Sequence, residues 1–162
     1  MAIWFQGCTL NCKGCCNPEL QDLTPKNIVS FDKLMNIILE AKEQYLIEGV
    51  TFLGGEPTIQ SHLYDLAIKI REIGLGTILF TGKSMENLDD ELVKSVDMII
   101  DGRYDESKRD GLRNLIGSSN QGIHLITNRY NYDLSWFYDN RDTRTEINIF
   151  DDLIITGDPV LK

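Results

Sequence analysis

Short apolar runs alternate with amphipathic segments along this 162-residue chain, and this alternation constrains its fold more than any other feature. Strands that alternate with helices are typical of right-handed βαβ units and therefore of a parallel sheet. Five such units are too few for a closed eight-stranded barrel. We therefore predict an α/β fold, an open partial (βα) barrel with mostly parallel strands. The predicted strands are AIWFQ (2–6), VTFL (50–53), GTILFTG (76–82), VDMIID (96–101) and GIHLIT (122–127).

Three helices are predicted between these strands. Ser30 is a favourable N-cap for the first, and Gly49 is the predicted stop. The second spans 60–73, and the third is capped by Ser84 and runs to about Lys94. The first helix has apolar residues at helical spacing, at Phe31, Leu34, Ile38, Ala41 and Tyr45.

The C-terminal part of the chain has a different pattern. TEINIF and LIITG flank two aspartates and predict a small C-terminal β-hairpin. We expect a single domain over 1–162, with a core at 2–130 and a C-terminal extension at 131–162. The polar segment 102–121 is long for a connection, which indicates a functional or mobile loop.

The composition excludes several classes of protein. A net charge of −9 argues against a general basic surface for nucleic acid and against an anionic membrane. The sequence has no apolar stretch of about 18 residues, so no transmembrane helix is expected. Its opening, MAIWFQGC, lacks the features of a signal peptide, and a cytoplasmic location is the default expectation.

All four cysteines lie in GCTLNCKGCCNPEL, residues 7–20. The spacing C-x3-C-x2-C of Cys8, Cys12 and Cys15 lets three thiolates on one loop surround a single cluster. Three thiolates on a cubane of four irons leave one iron open to a substrate or cofactor. Cys16 adjoins Cys15 and points the other way in extended backbone, so we expect it to line the site without binding iron.

Zinc is the alternative interpretation of the cysteine segment. A tetrahedral zinc site needs a fourth ligand in addition to three thiolates. His62 or His124 could supply it, although neither has local ligand spacing.

A second motif, GGEP at 54–57, follows the second predicted strand directly. Gly54 and Gly55 let backbone carbonyls approach a ligand closely, and Glu56 adds a carboxylate. This combination suits a ligand with a cationic amino group. The alternative is a simple turn with two flexible glycines and a proline stop.

The cysteine motif followed by GGEP resembles the radical S-adenosylmethionine (SAM) superfamily. CKGCCNPEL, FTGK, VDMIIDGRYD and GSSNQ are similar to its small activating-enzyme branch, typified by the activase of anaerobic ribonucleotide reductase. The resemblance covers residues 3 to about 130 in order, and LIITGDP is also similar. It implies a radical SAM type of fold and a [4Fe-4S] cluster with SAM as cofactors.

The resemblance also implies roles for individual residues. Cys8, Cys12 and Cys15 would bind the cluster, and the amino and carboxylate groups of SAM would bind the fourth iron. SAM would also contact a set of residues near the strand ends, namely Gly54, Gly55, Glu56, Thr81, Asn17 and Asn120.

The implied reaction is reductive cleavage of SAM to a 5′-deoxyadenosyl radical, which abstracts hydrogen from a glycine of a glycyl radical enzyme. An electron donor such as flavodoxin or ferredoxin would be a further partner. Two alternatives are a radical SAM enzyme that modifies a peptide or small molecule, and a non-enzymatic iron-sulfur or zinc-binding module. The 102–121 loop carries four of the sixteen basic residues, which predicts either a solvated connection or a docking surface for an acidic partner.

Overall fold

A computed structural model describes residues 1–139 and the backbone of two further strands, at 145–149 and 153–157. Five strands form one open sheet in the order β1-β2-β3-β4-β5, and β1 to β4 are parallel. The predicted α/β class with a mostly parallel sheet is therefore confirmed. The strands are β1 (Ala2–Phe5), β2 (Gly49–Gly54), β3 (Gly76–Phe80), β4 (Met98–Asp101) and β5 (Gly122–Leu125).

The fifth strand differs from the expected βα unit because it runs antiparallel to β4. Asp101 at the end of β4 pairs with Gly122 at the start of β5. The segment between them, 102–121, holds one short 3-10 turn, Glu106–Lys108, rather than a crossover helix. A chain that leaves and returns at the same end of a sheet must reverse its direction.

Four α-helices lie within residues 1–139: α1 (Phe31–Tyr45), α2 (Leu63–Glu72), α3 (Asp90–Ser95) and α4 (Leu134–Tyr138). The predicted N-cap of α1 is confirmed, since Ser30 Oγ accepts a hydrogen bond from the Lys33 amide at 3.3 Å. The helix ends before Gly49, at Tyr45, and Leu46 follows in the left-handed region with φ +52°.

Gly49 begins β2 instead of ending the helix, and close packing explains the glycine. A Cβ here would lie 2.7 Å from both the Gly76 carbonyl oxygen and the Tyr130 hydroxyl. The predicted cap of the third helix was also wrong. Asp89 caps α3 by accepting hydrogen bonds from two amides, whereas Ser84 precedes a single 3-10 turn.

The two faces of the sheet are covered differently. Helices α1 to α3 cover one face and share a buried apolar cluster with it, which includes Ile38, Val50, Phe52, Leu66, Leu79 and Ile99. On the other face, Ile116 and Phe137 from the later part of the chain pack against Met98 and Ile100. Trp4 of β1 is 54% exposed. The described chain therefore leaves an open, apolar area at the β1–β2 side of this second face.

The long 102–121 loop has its own hydrogen-bond framework. The Arg113 guanidinium bonds to Asp110 Oδ2 at 2.6 Å and to the carbonyls of Ser118 and Gln121. The pKa of Asp110 is lowered to about 2, chiefly because its carboxylate accepts the Arg113 backbone amide and also pairs with the guanidinium. These contacts give the loop a defined conformation beside the ends of the parallel strands.

The predicted C-terminal hairpin is confirmed at the level of backbone pairing. Strands β6 (Thr145–Ile149) and β7 (Leu153–Gly157) are antiparallel and form a separate two-stranded sheet. Among the residues that the structure describes, no helix combines the length and apolar character needed to cross a membrane.

Candidate functional site

A pocket of about 480 Å³ lies where the carboxyl ends of the parallel strands meet the uncovered face of the sheet. Its apolar floor includes Trp4, Leu53 and Phe80. Its other walls come from the cysteine segment after β1, the Gly-Gly turn after β2 and the loops after β3 and β4. No Asp, Glu, Lys, Arg or His from the described part of the chain lines it. The described lining of the site is therefore uncharged and largely apolar.

The three cysteines predicted as cluster ligands all line this pocket. Cys8, Cys12 and Cys15 are partly buried and have free thiols. The base of their loop is fixed to the following segment, because Gly7 donates to the Leu20 carbonyl at 2.8 Å. One loop thus brings three thiols to the same cavity.

Cys16 also lines the pocket, and as a residue it is exposed, whereas the other three cysteines are partly buried. The Asn17 amide donates to Cys16 Sγ at 3.4 Å. The pKa of Cys16 is raised, first because neighbouring atoms partly desolvate its thiol and second because a charge on Cys15 would repel its thiolate. The structure therefore favours a neutral thiol at this position.

The donor set of the pocket fits an iron-sulfur cluster. Thiolates are the usual ligands of such clusters, and each binds a different iron. A single zinc ion instead requires its thiolate sulfurs within about 3.8 Å of one another, from tetrahedral geometry and a zinc–sulfur distance of about 2.3 Å. Across the described residues, no three His, Cys, Asp or Glu side chains are grouped closely enough to hold one metal ion.

The histidines considered for a zinc site lie elsewhere. His62 Nδ1 is 3.5 Å from Asp65, at the start of α2. His124 Nε2 is 2.9 Å from Asp101 Oδ1, across the β4–β5 pair. Neither histidine lines the pocket that holds the thiols.

Gly54 and Gly55 line the pocket. Close packing against neighbouring backbone requires a glycine at both positions. A Cβ at Gly54 would lie 2.4 Å from the Phe5 carbonyl oxygen, and φ at Gly54 is +117°. A Cβ at Gly55 would lie 2.3 Å from the Gly7 carbonyl oxygen and 2.7 Å from that of Leu20. The glycines thus allow β1 and the cysteine loop to pack directly against the turn.

Replacement of Gly55 by alanine should lower the free energy of unfolding by about 1–3 kcal/mol or more, because the colliding atoms belong to the backbone. Denaturant unfolding of the apo-protein measures this loss. Gly111→Ala is the matched control, since a Cβ there meets nothing within 4 Å. Equal stability of the two variants would contradict the packing role of Gly55.

Glu56 lies beneath the pocket rather than on its wall. It is 0% exposed. Oε1 accepts hydrogen bonds from the Thr58 amide at 3.1 Å, the Thr58 hydroxyl at 2.7 Å and the Thr81 hydroxyl at 2.8 Å. Oε2 accepts from the Gly82 amide at 2.9 Å. The carboxylate therefore joins the turn after β2 to the loop after β3.

The other predicted cofactor residues divide between two pockets. Asn17 and Thr81 line the pocket that holds the cysteine thiols, hereafter the thiol pocket, although the Thr81 hydroxyl is already bonded to Glu56. Asn120 lines a neighbouring polar pocket and donates to the Arg103 carbonyl at 2.8 Å.

Several more residues line the thiol pocket that no sequence motif identified as cofactor contacts. Gly82 and Gly102 follow β3 and β4, as the TG and DG pairs at those strand ends could have indicated. Alternation along β1 and β2 could have indicated Trp4 and Leu53, which pair in register and face the same side. The remaining unassigned wall residues include Tyr104, Leu115 and Gly117.

Comparison with known families gives a match that covers most of the chain. The family described as a 4Fe-4S single cluster domain matches residues 1–124. This range contains the cysteine loop, the Gly-Gly turn and β1 to β4.

Three relatives differ in how much of their length is matched. The anaerobic ribonucleoside-triphosphate reductase-activating protein of Vibrio cholerae is 25% identical, over 77% of this chain and 86% of its own. A protein of Methanocaldococcus jannaschii, provisionally named a glycyl-radical enzyme activating enzyme, is 36% identical over 63% of this chain and 39% of its own. The pyruvate formate-lyase-activating enzyme of Staphylococcus aureus is 33% identical over 60% and 43%.

The chain thus spans less than half the length of two of these relatives. All three are named as activating proteins or enzymes. The similarities confirm the resemblance to the activating-enzyme branch that CKGCCNPEL, FTGK, VDMIIDGRYD and GSSNQ carry.

Proposed function

Since the chain belongs to the 4Fe-4S single cluster domain family, we propose that it is a radical SAM activating enzyme that abstracts hydrogen from a glycine of a glycyl radical enzyme. The observation that carries this proposal is the pocket in which Cys8, Cys12 and Cys15 face the Gly54-Gly55 turn. The activating roles in the names of the three relatives support it. The fold is then an open partial barrel of the radical SAM type.

In this proposal Cys8, Cys12 and Cys15 hold the [4Fe-4S] cluster. When bound, the cluster and SAM together supply one-electron cleavage of a carbon–sulfur bond and a radical that takes hydrogen. The protein holds these groups in a fixed orientation and keeps water away from them. The uncharged floor of Trp4 and Leu53 serves this second task.

The turn after β2 and the loop after β3 form the wall that SAM contacts. Gly54, Gly55 and Thr81 line it directly. Glu56 fixes the two segments relative to each other through Thr81 and Gly82. Asn17 borders the same cavity from the cysteine segment, whereas Asn120 acts from the adjoining pocket.

The activity can be tested by anaerobic reconstitution with iron and sulfide. The holoenzyme should then convert SAM to 5′-deoxyadenosine and methionine when dithionite is the electron source. Chromatography of the products checks this result. A protein that binds a cluster and forms no 5′-deoxyadenosine would instead be an electron carrier or a binding module.

A partner protein is proposed to dock beside the pocket on the 102–121 loop. Tyr104 lies at the wall of both the thiol pocket and the neighbouring polar pocket. Lys108 and Arg109 follow in the same loop and are exposed. Lys108 Nζ is 3.4 Å from Asp105, and Arg109 Nε donates to the Tyr104 hydroxyl at 3.1 Å.

Reversal of both charges, Lys108→Glu with Arg109→Glu, should slow partner activation about ten-fold because steering of an acidic partner is lost. Partner-independent SAM cleavage should remain. The difference should shrink as salt rises, since exposed charges are screened within about 8–10 Å at physiological ionic strength. Initial rates of both reactions at several salt concentrations measure the effect.

A matched control reverses Lys69 and Lys94, which pair with Glu72 and Glu91 on the helical face of the protein. This variant has the same change in net charge. An equal effect on partner activation from both double variants would contradict docking at the 102–121 loop.

A further inference from the structure

The cysteine loop, residues 8–15, is fixed by its own chain mainly at its two ends. The Cys8 amide donates to the Gln21 carbonyl at 3.2 Å, and the Cys15 amide donates to the Cys12 carbonyl at 3.3 Å. Asn11 lies between these ends in the left-handed region, with φ +49°. Between these bonds the loop makes two long contacts within itself, from the Leu10 amide to Cys8 Sγ at 3.4 Å and from the Asn11 side chain to the Thr9 carbonyl at 3.5 Å. Its position therefore also depends on contacts from other parts of the protein.

Arg103 supplies a polar contact at that point. Arg103 directly follows Gly102, which is the first residue after β4 and has φ +103°. Its Nη2 group donates to the Leu10 carbonyl and, at 3.4 Å, to the Asn11 carbonyl. These two residues lie between the first and second cysteines of the motif.

Two close side-chain contacts, each at a glycine, also hold the loop in this position. A Cβ on Gly82 would lie 2.3 Å from Leu10 Cδ1, so the Leu10 side chain packs directly on the turn after β3. A Cβ on Gly14 would lie 2.9 Å from Glu106 Cδ. The Arg103 backbone is itself held, because its carbonyl accepts the Asn120 side-chain amide.

We propose that Arg103 is a positioning residue that fixes the separation of Cys8 and Cys12 before the cluster is bound. Its guanidinium can serve neighbouring carbonyls through several fixed donors, which a lysine ammonium does not reproduce. A loop held in its bound conformation loses less entropy when a ligand binds. The identity of the bound group rests on the proposed function, whereas the Arg103 contacts belong to the chain alone.

The first measurement uses the apo-protein, so it does not depend on cofactors. Hydrogen exchange is followed by mass spectrometry in a peptide that spans the cysteine loop and contains the bonded amides of Leu10 and Cys15. In Arg103→Gln these amides should exchange about ten-fold faster, because a charged hydrogen-bond tether is lost. Arg103→Lys should give an intermediate rate, as expected for a retained charge without the planar donors.

Arg129→Gln is the matched control, since the Arg129 Nη2 group also donates to two backbone carbonyls, those of Gly74 and Glu48, and neither belongs to the cysteine loop. Its exchange in the Cys8–Cys15 region should equal that of the unchanged protein. Both glutamine variants should unfold at the same denaturant concentration. Equal exchange in Arg103→Gln and Arg129→Gln would contradict the proposed contact.

The second measurement uses the reconstituted protein and an iron chelator. Loss of cluster absorbance should be about ten-fold faster in Arg103→Gln than in Arg129→Gln, with Arg103→Lys between them. The electron paramagnetic resonance spectrum of the reduced cluster should also change in Arg103→Gln alone. Faster amide exchange with unchanged cluster loss and an unchanged spectrum would overturn the positioning role.

Failure of the proposed function has a different signature. The reconstituted protein could form no 5′-deoxyadenosine and still lose its cluster fastest in Arg103→Gln, more slowly in Arg103→Lys and most slowly in the control variant. That result would contradict the proposed activity. The same order of rates would support the role of Arg103.

Discussion

Replacement of Cys8, Cys12 or Cys15 by alanine should abolish both the cluster absorbance and SAM cleavage after anaerobic reconstitution. Each thiol lines the same pocket, and Cys16, the remaining thiol there, is not expected to bind iron in place of a lost ligand. Iron content, the visible absorption spectrum and 5′-deoxyadenosine formation measure the loss. This is the largest effect we expect from any single substitution.

Cys16→Ala is the matched control for these three variants. Cys16 lines the same pocket, but it is an exposed residue, and its thiol accepts a hydrogen bond from the Asn17 side chain. The variant should retain most of the cluster and most of the activity. Loss of the cluster in Cys16→Ala, together with its retention in a variant of the other three, would overturn the ligand assignment.

Replacement of Glu56 by glutamine should lower the free energy of unfolding of the apo-protein by about 1–3 kcal/mol. The glutamine side chain keeps only one acceptor oxygen. Its NH2 group would therefore face either the Gly82 N–H or the threonine donors. SAM binding by the reconstituted protein should weaken as well, because the loop after β3 loses its support. Denaturant unfolding and SAM titration measure the two effects.

The two effects together separate a supporting role from direct ligand contact. A carboxylate that only paired with the SAM ammonium would give weaker binding, by about ten- to a hundred-fold, at unchanged stability. Glu86→Gln serves as a control because Glu86 is exposed in a 3-10 turn. Unchanged stability in Glu56→Gln would therefore contradict the buried network around this residue.

The parallel part of the fold was accessible from sequence because its signals are local. Ser30 caps α1 as its residue type predicts, and the apolar runs of β1 to β4 are short and β-branched. The direction of β5 was not accessible, since it depends on how the 102–121 loop folds back. That loop is organised by contacts between distant positions, such as Arg113 with Gln121.

The role of a glycine was also hard to assign from sequence alone. Gly49 resembles a helix stop, yet it serves close packing against Gly76 and Tyr130. Only the three-dimensional arrangement of three separate segments reveals that requirement.

In the candidate site too, local motifs were predictable from sequence, whereas contacts between distant segments were not. The three thiols and the Gly54-Gly55 turn were predicted from short motifs, and the structure places them at one pocket. The motif did not predict that Glu56 is buried, because its partners Thr81 and Gly82 come from another strand end. Contacts across the fold therefore decide whether a motif residue forms the wall or supports it.

We propose that the chain uses SAM to take hydrogen from a glycine of a protein partner. The most direct test combines the reconstituted protein, SAM and dithionite with a glycyl radical enzyme from the same genome, deuterated at the glycine α-carbon. We predict that deuterium appears in 5′-deoxyadenosine and that a glycyl radical signal appears in the partner. Unlabelled 5′-deoxyadenosine, formed at the same rate with and without the partner, would contradict the claim.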